Sequence, residues 1–130
     1  VSWFKTPTAF STPRRARMDS QDRLWFAEYT ADKVGMLDTK TNAITEYDTG
    51  IKWGGPYTVS LPDAKGRVYS PSSAGERLLR IDTKTREVVT YLMPNRDFDV
   101  KQISLDPATK STVFFANVRN ASIVKVEPLD

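Results

Sequence analysis

One phrase is written into this chain about three times, and the spacing of the copies restricts the fold more than any other feature. Leu24-Trp25-Phe26 returns as Val68-Tyr69-Ser70 and again as Val113-Phe114-Phe115. Val34-Gly35-Met36-Leu37-Asp38 returns as Leu78-Leu79-Arg80-Ile81-Asp82, then as Ile123-Val124-Lys125-Val126-Glu127. Thr39-Lys40-Thr41 recurs as Thr83-Lys84-Thr85, and Tyr47 and Tyr91 close the first two copies. The second copy follows the first by 44 residues and the third follows the second by 45. Short strands repeating every 40–50 residues or so are the signature of β-propeller blades. The expected fold class is all-β: about three four-stranded antiparallel blades, part of a larger or assembled propeller.

The copies divide the chain. Residues 1–12 read as the end of a preceding blade, 13–54 and 55–97 as two blades, and 98–130 as an incomplete C-terminal blade. Arg14–Met18, Leu24–Tyr29, Lys33–Leu37 and Ile44–Asp48 are the expected strands of the first blade. In the second, Pro71 is expected to cut the strand at Val68–Ser70 short, because proline cannot donate to a ladder. Leu78–Ile81 and Glu87–Leu92 follow. The third blade runs Val100–Leu105, Thr112–Asn117 and Ser122–Val126, with no fourth strand. Trp3–Lys5 reads as a fourth strand without its own first three. Pairing it with Ser122–Val126 of another copy would make a six-bladed dimer; a chain cut from a longer propeller is the simpler expectation. A blade buries its faces only against neighbours, and a ring usually takes about 4–8 blades. The expected partners are therefore the remaining blades or another protein chain.

Composition removes several functions. The chain has no cysteine and no histidine. Disulfides and thiolate metal sites are excluded, and so is the usual general base near neutral pH. The net charge is +3, with one dense basic cluster at Arg14-Arg15-Ala16-Arg17. A nucleic-acid footprint calls for a larger basic face, so no nucleic-acid partner is expected. No apolar run approaches the roughly 18 residues of a membrane span, so no transmembrane segment is expected. There is no glycine-rich phosphate loop, no Gly-x-Ser-x-Gly elbow and no serine–histidine pair.

The first blade resembles a known family. Arg14-Arg15-Ala16-Arg17-Met18-Asp19, Leu24-Trp25-Phe26-Ala27-Glu28, Lys33-Val34-Gly35-Met36-Leu37-Asp38 and Ile44-Thr45-Glu46-Tyr47 together look like one blade of the streptogramin B lyase (virginiamycin B lyase) type of propeller. Gly55-Pro56-Tyr57 resembles that family's blade-opening Gly-Pro-Tyr. The resemblance covers nearly the whole chain and implies a C-terminal portion of such a protein. Members of the lyase kind are usually seven-bladed monomers. They linearise a cyclic depsipeptide by elimination, with bound magnesium and a histidine in proton transfer. No position here supplies the histidine, and only Glu28 matches a family carboxylate. The resemblance also implies a bacterial, periplasmic or secreted setting.

Candidate binding residues come from strand ends and from breaks in the repeat. Trp25, Phe26, Tyr69, Phe114 and Phe115 repeat in register and read as packing between blades. Arg14, Tyr57 and Lys101 stand at equivalent places on the innermost strands, from which they could project into the channel towards a small ligand. Arg15 belongs to the same basic strand. Glu28 and Tyr29 end the second strand of the first blade, with an ion pair to Arg14, Arg15 or Arg17 as the structural alternative for Glu28. Asn117 occupies the place of Glu28 in the last copy. Trp53 lies in Gly50–Tyr57, which departs from the repeat and reads as an interface anchor. Asp19 and Asp22 lack the oxygen-rich loop of a calcium site. These features favour a non-catalytic scaffold that binds protein or ligand and needs no cofactor. The alternative is part of a magnesium-dependent lyase-like enzyme acting on cyclic depsipeptides, with its histidine in absent blades; magnesium belongs only to such a complete ring.

Overall fold

The computed structural model describes residues 1–94 and 96–129; Asp130, the last residue assigned to the third blade, lies outside the described residues. Among them the chain forms ten strands and no helix, and so no helix long and apolar enough to cross a membrane. The first sheet holds β1 (Pro13–Met18), β2 (Arg23–Glu28), β3 (Lys33–Asp38) and β4 (Ile44–Asp48), in that order. The second holds β5 (Arg67–Ser72), β6 (Arg77–Asp82) and β7 (Val88–Leu92). The third holds β8 (Val100–Leu105), β9 (Val113–Asn117) and β10 (Ser122–Val126), with β9 in the middle. All pairings are antiparallel between sequence neighbours, as short hairpin loops require.

Strand alternation places Trp25, Tyr69 and Phe115 of the repeated aromatics between the sheets, while Phe114 turns outward and is exposed, contrary to its expected packing role. Trp25, Val34 and Tyr47 pack against Val68 and Ile81 of the second sheet and against Val59 in the segment leading into it. Tyr69 and Leu78 pack against Val100, Ile103, Val113 and Phe115 of the third sheet and against Phe98 just before it. The next residue along β2, Phe26, faces the other way and lies over Gly35. A Cβ at Gly35 would stand 2.2 Å from the Phe26 ring, so the ring occupies the space of the missing side chain.

The hairpin loops repeat as closely as the strands. Asp38 Oδ1 accepts the Lys40 and Thr41 amides at 2.8 and 3.3 Å, and Asp82 Oδ1 accepts those of Lys84 and Thr85 at 2.8 and 2.9 Å. Earlier in each of these two blades an aspartate clamps the turn to a buried ring. Asp19 takes the side chains of Arg23 and Trp25, both at 2.8 Å. Asp63 takes Arg67 at 2.8 Å and the Tyr69 hydroxyl at 3.1 Å. Asp19 is thus fully used as a turn clamp.

One expectation about the strands needs correction. Pro71 does not end its strand: β5 runs to Ser72, and Pro71 pairs with Leu78. Tyr69, two residues earlier, exchanges bonds with Ser60 on the inner side: the Ser60 amide donates to the Tyr69 carbonyl, and the Tyr69 amide donates to Ser60 Oγ. Pro71 has the same parity, so its missing N–H faces that inner side and costs the β5–β6 ladder nothing. What it breaks is the innermost strand, reduced to a single Pro56–Ser72 bridge. There Ser70 and Ser72 hydroxyls donate to the Thr58 and Gly54 carbonyls in place of a ladder. Trp3–Lys5 forms no strand within this single chain, which holds neither the preceding blade nor the second copy it was expected to pair with. A lone strand needs a neighbouring ladder, and the chain offers it none. Instead Thr6–Thr12 crosses the end of the first sheet. The Thr8 amide and hydroxyl both donate to Glu46 at 2.7 Å, and Ser11 Oγ donates to Glu28 at 3.2 Å.

Candidate ligand site

The innermost strands of the first and third sheets are both bulged, between Arg14 and Arg17 and between Val100 and Ile103. A bulge bends its strand and re-aims the side chains beside it. In the first sheet the extra residue is accommodated at Arg15, whose φ is +48°. The bulge is therefore a property of the repeat; its side chains differ from blade to blade.

Those side chains meet at one ring. The Arg14 guanidinium stands 4.8 Å from the centre of Tyr57, the Arg15 guanidinium 5.6 Å and the Lys101 ammonium 4.5 Å. Arg14 also lies 4.6 Å from the Tyr29 ring, which meets Tyr57 edge-on at 6.1 Å. Three successive blades thus contribute Arg14, Tyr57 and Lys101 to one cluster. Hydrogen bonds from Arg15 and Arg14 hold the Tyr57 hydroxyl below the usual phenol range. Burial, and then the charge of Arg15, holds Arg17 below its ordinary value. Among the described residues no carboxylate forms an ion pair with Arg14, Arg15 or Arg17, and Arg14 Nε is buried without a hydrogen-bond partner.

A cavity of about 360 Å³ opens beside the cluster, walled by Tyr29, Trp53, Lys101 and Arg119 and floored by Gly54 and Gly55. Two carboxylates line it as well. Asp32 is occupied by the Trp53 and Gly55 amides, at 2.7 and 3.0 Å. Asp99 lies 2.8 Å from Lys101 and 3.7 Å from Arg119. Gly55 has φ +57°, and a Cβ there would come 3.1 Å from the Tyr29 ring; glycine is needed both for the turn and for the close approach. Trp53 is 86% exposed.

The Trp53 loop departs from the repeat less than its sequence suggests. Asp32 and Glu76 occupy equivalent turns, with φ of +55° and +50°. Each accepts an amide from the outgoing loop: Asp32 from Trp53, and Glu76 from Asp97 at 3.0 Å. Trp53 and Asp97 share the left-handed backbone as well, at +60° and +63°. The loop backbone therefore repeats, and the indole is what is new.

Glu28 and Asn117 stand apart from this cluster. Glu28 is completely buried, on the face of β2 that carries Phe26. It accepts from Ser11 and lies near Lys33 and Glu46, making no ion pair with an arginine among the described residues. Burial, and secondly the Glu46 charge, raise its pKa to about 7, against the opposing Ser11 bond and Lys33 charge. Its Oε2 has no hydrogen-bond partner. Asn117 Oδ1 accepts the Asp99 and Arg119 amides at 3.0 and 3.3 Å, so it shapes the cavity wall from behind. Arg119, Asp32 and Asp99 escaped the sequence reading. The acidic residue shared by the Asp32 and Glu76 turns was the one available signal.

The magnesium that the lyase resemblance implies finds no suitable donor set. Glu46 is held by Lys33 and Thr8, leaving Glu28 as the single carboxylate there. No three acidic, histidine or cysteine groups converge among the described residues.

Sheets of four, three and three antiparallel strands stacked through their repeated aromatics define a segment of a β-propeller. No protein-family model matches the chain, and no curated protein does. Among solved structures it is similar to a streptogramin B lyase, with 21% identity, a TM-score of 0.77, and coverage of 97% of this chain and 44% of that one. Against virginiamycin B lyase from Staphylococcus aureus the values are 15%, 0.75, 98% and 45%. Against hydrazine synthase of Kuenenia stuttgartiensis they are 13%, 0.68, 96% and 38%. The chain spans less than half the length of each of these proteins.

Proposed function

We propose that the chain is a non-catalytic propeller module that binds a ligand or partner at the end of its blades where Trp53, Tyr29, Tyr57 and Lys101 gather. The observation that carries this reading is the meeting of Arg14, Tyr57 and Lys101 from three blades beside an open cavity. Ligand sites favour such concavities, where a few polar groups converge among aromatic walls. The module works as a scaffold within a larger propeller or beside another chain, in a periplasmic or secreted setting, and calls for no resident cofactor. Its first flank suits that role: Leu24, Phe26, Leu37 and Ile44 form the wall where a preceding blade would pack.

The test is a fragment screen by ligand-observed NMR on the intact protein, repeated on Trp53→Ala and Tyr57→Ala. Fragments that bind the protein and are lost from both variants support the reading. A screen in which no bound fragment responds to either substitution overturns it.

The lyase-like alternative rests on Glu28, a buried carboxyl with a pKa near neutrality, as proton-transferring groups often have. It lies on the far side of the sheet from the cavity, and its surroundings hold no second proton carrier of the histidine kind. The binding module is the better reading.

A further inference from the structure

We infer that the cavity takes a small aromatic anion, its ring against Trp53 and Tyr29 and its carboxylate or phosphoryl head on Arg14, Arg15 and Lys101. This deepens the binding-module reading and rests on it. The charge balance comes first. Two cations, Lys101 and Arg119, line the cavity, and two more, Arg14 and Arg15, stand beside it around the Tyr57 ring that Lys101 also approaches. Facing them are Asp32, committed to two backbone amides, and Asp99, which lies 2.8 Å from Lys101 and 3.7 Å from Arg119. The charges of Arg14 and Arg15 are left without a counter-ion among the described residues, and with Lys101 they crowd one tyrosine ring. Like charges held together repel, and the face of a tyrosine offsets only part of that. A bound anion removes the repulsion and supplies acceptors that guanidinium groups match geometrically.

The apolar half of the ligand follows from the walls. Trp53 is held on a rigid backbone clasp by Asp32 yet leaves its indole almost wholly in solvent. An indole fixed at its base and uncovered at its face is suited to stacking on a planar group. About 360 Å³ accommodates one substituted ring rather than a polymer.

The experiment reads Trp53 fluorescence in a Trp3→Phe background, since Trp25 is buried and Trp3 is the other exposed indole. The probes are phenyl phosphate, benzoate and benzyl alcohol, with inorganic phosphate as competitor. The expected result is that one or both ring anions bind at least tenfold more tightly than benzyl alcohol. Arg14→Gln combined with Lys101→Gln brings them to the level of the alcohol. Whichever of phenyl phosphate and benzoate binds more tightly identifies the head group, and inorganic phosphate displaces the phosphoryl probe. On the unmutated cluster, raising sodium chloride from 0.05 to 0.5 M weakens the anions at least threefold and leaves the alcohol unchanged, a readout that needs no variant to fold. Equal binding of anions and alcohol overturns this inference while leaving the binding module intact. Anion binding that ignores both substitutions and salt overturns it too, by placing the anion elsewhere. No binding by any probe, with a fragment screen equally silent at Trp53 and Tyr57, overturns both.

Discussion

Replacing Glu28 by glutamine should make the protein more stable above neutral pH and leave it little changed in acid. The carboxyl is completely buried, one oxygen accepts from Ser11, and the other has no partner. Folding raises its pKa from 4.5 to about 7, chiefly through burial and secondly through Glu46. The folded protein therefore holds this proton more tightly than the unfolded chain. Such a group's contribution is fully present below about pH 4.5 and is lost as pH rises to about 7. The ionised form then costs about 3 kcal/mol relative to the protonated one. Glutamine keeps the shape and the acceptor for Ser11 and cannot ionise. Urea unfolding at pH 5 and pH 8 gives the comparison directly. The advantage of the variant over the native protein should grow by about 2–3 kcal/mol between those two conditions. An advantage that is the same at both pH values would show that Glu28 is not held neutral by its surroundings, and the account of its environment would fail.

Other substitutions test the remaining contacts. Asp63→Ala should cost about 3–5 kcal/mol by breaking a buried ion pair, and Asp19→Ala clearly less, since Arg23 is 29% exposed where Arg67 is 7%; equal losses in chemical denaturation would contradict this. Gly35→Ala should destabilise by about 1–3 kcal/mol, because the Phe26 ring fills the new methyl's place; a neutral variant in thermal melts would mean that the ring swings aside freely. Trp53→Ala should leave the melting temperature within about 2 °C of the native value, as exposed side chains without partners contribute little, while removing the fluorescence response to ring probes.

The strands were legible because their pattern repeats: bounds read from alternation alone fall within a residue or two of those observed. Face and direction were not. Glu28 looked available to Arg14, Arg15 or Arg17, yet Arg14 pairs with Ala27 while Glu28 shares its face with Phe26. Pro71 looked like a strand end because sequence does not say which side its absent N–H faces. Trp53 looked like an irregular loop because its side chain differs, though the clasp beneath it is the same one that Glu76 makes. Each of these depends on which neighbour a backbone group meets, and that is a tertiary fact. The convergence of Arg14, Tyr57 and Lys101 could be raised from the sequence only because equivalent positions in a propeller surround one axis.

The same geometry shows where function must be sought in a chain of this kind. Two lyases and a hydrazine synthase share its fold at similar coverage and low identity, so the fold that the stacked aromatics and turn aspartates build here is common to different chemistries. Those residues answer to the needs of packing, which are alike in every blade. At the innermost strands the backbone requirement is also alike, a bulge in the first and third sheets, yet the side chains are arginine in one blade, tyrosine in the next and lysine in the last. The repeat does not demand two arginines and a lysine around one ring, and among the described residues only the lysine has a carboxylate partner, Asp99. A feature that the fold neither needs nor fully neutralises is best explained by something that binds there, and its sign says that what binds is negative.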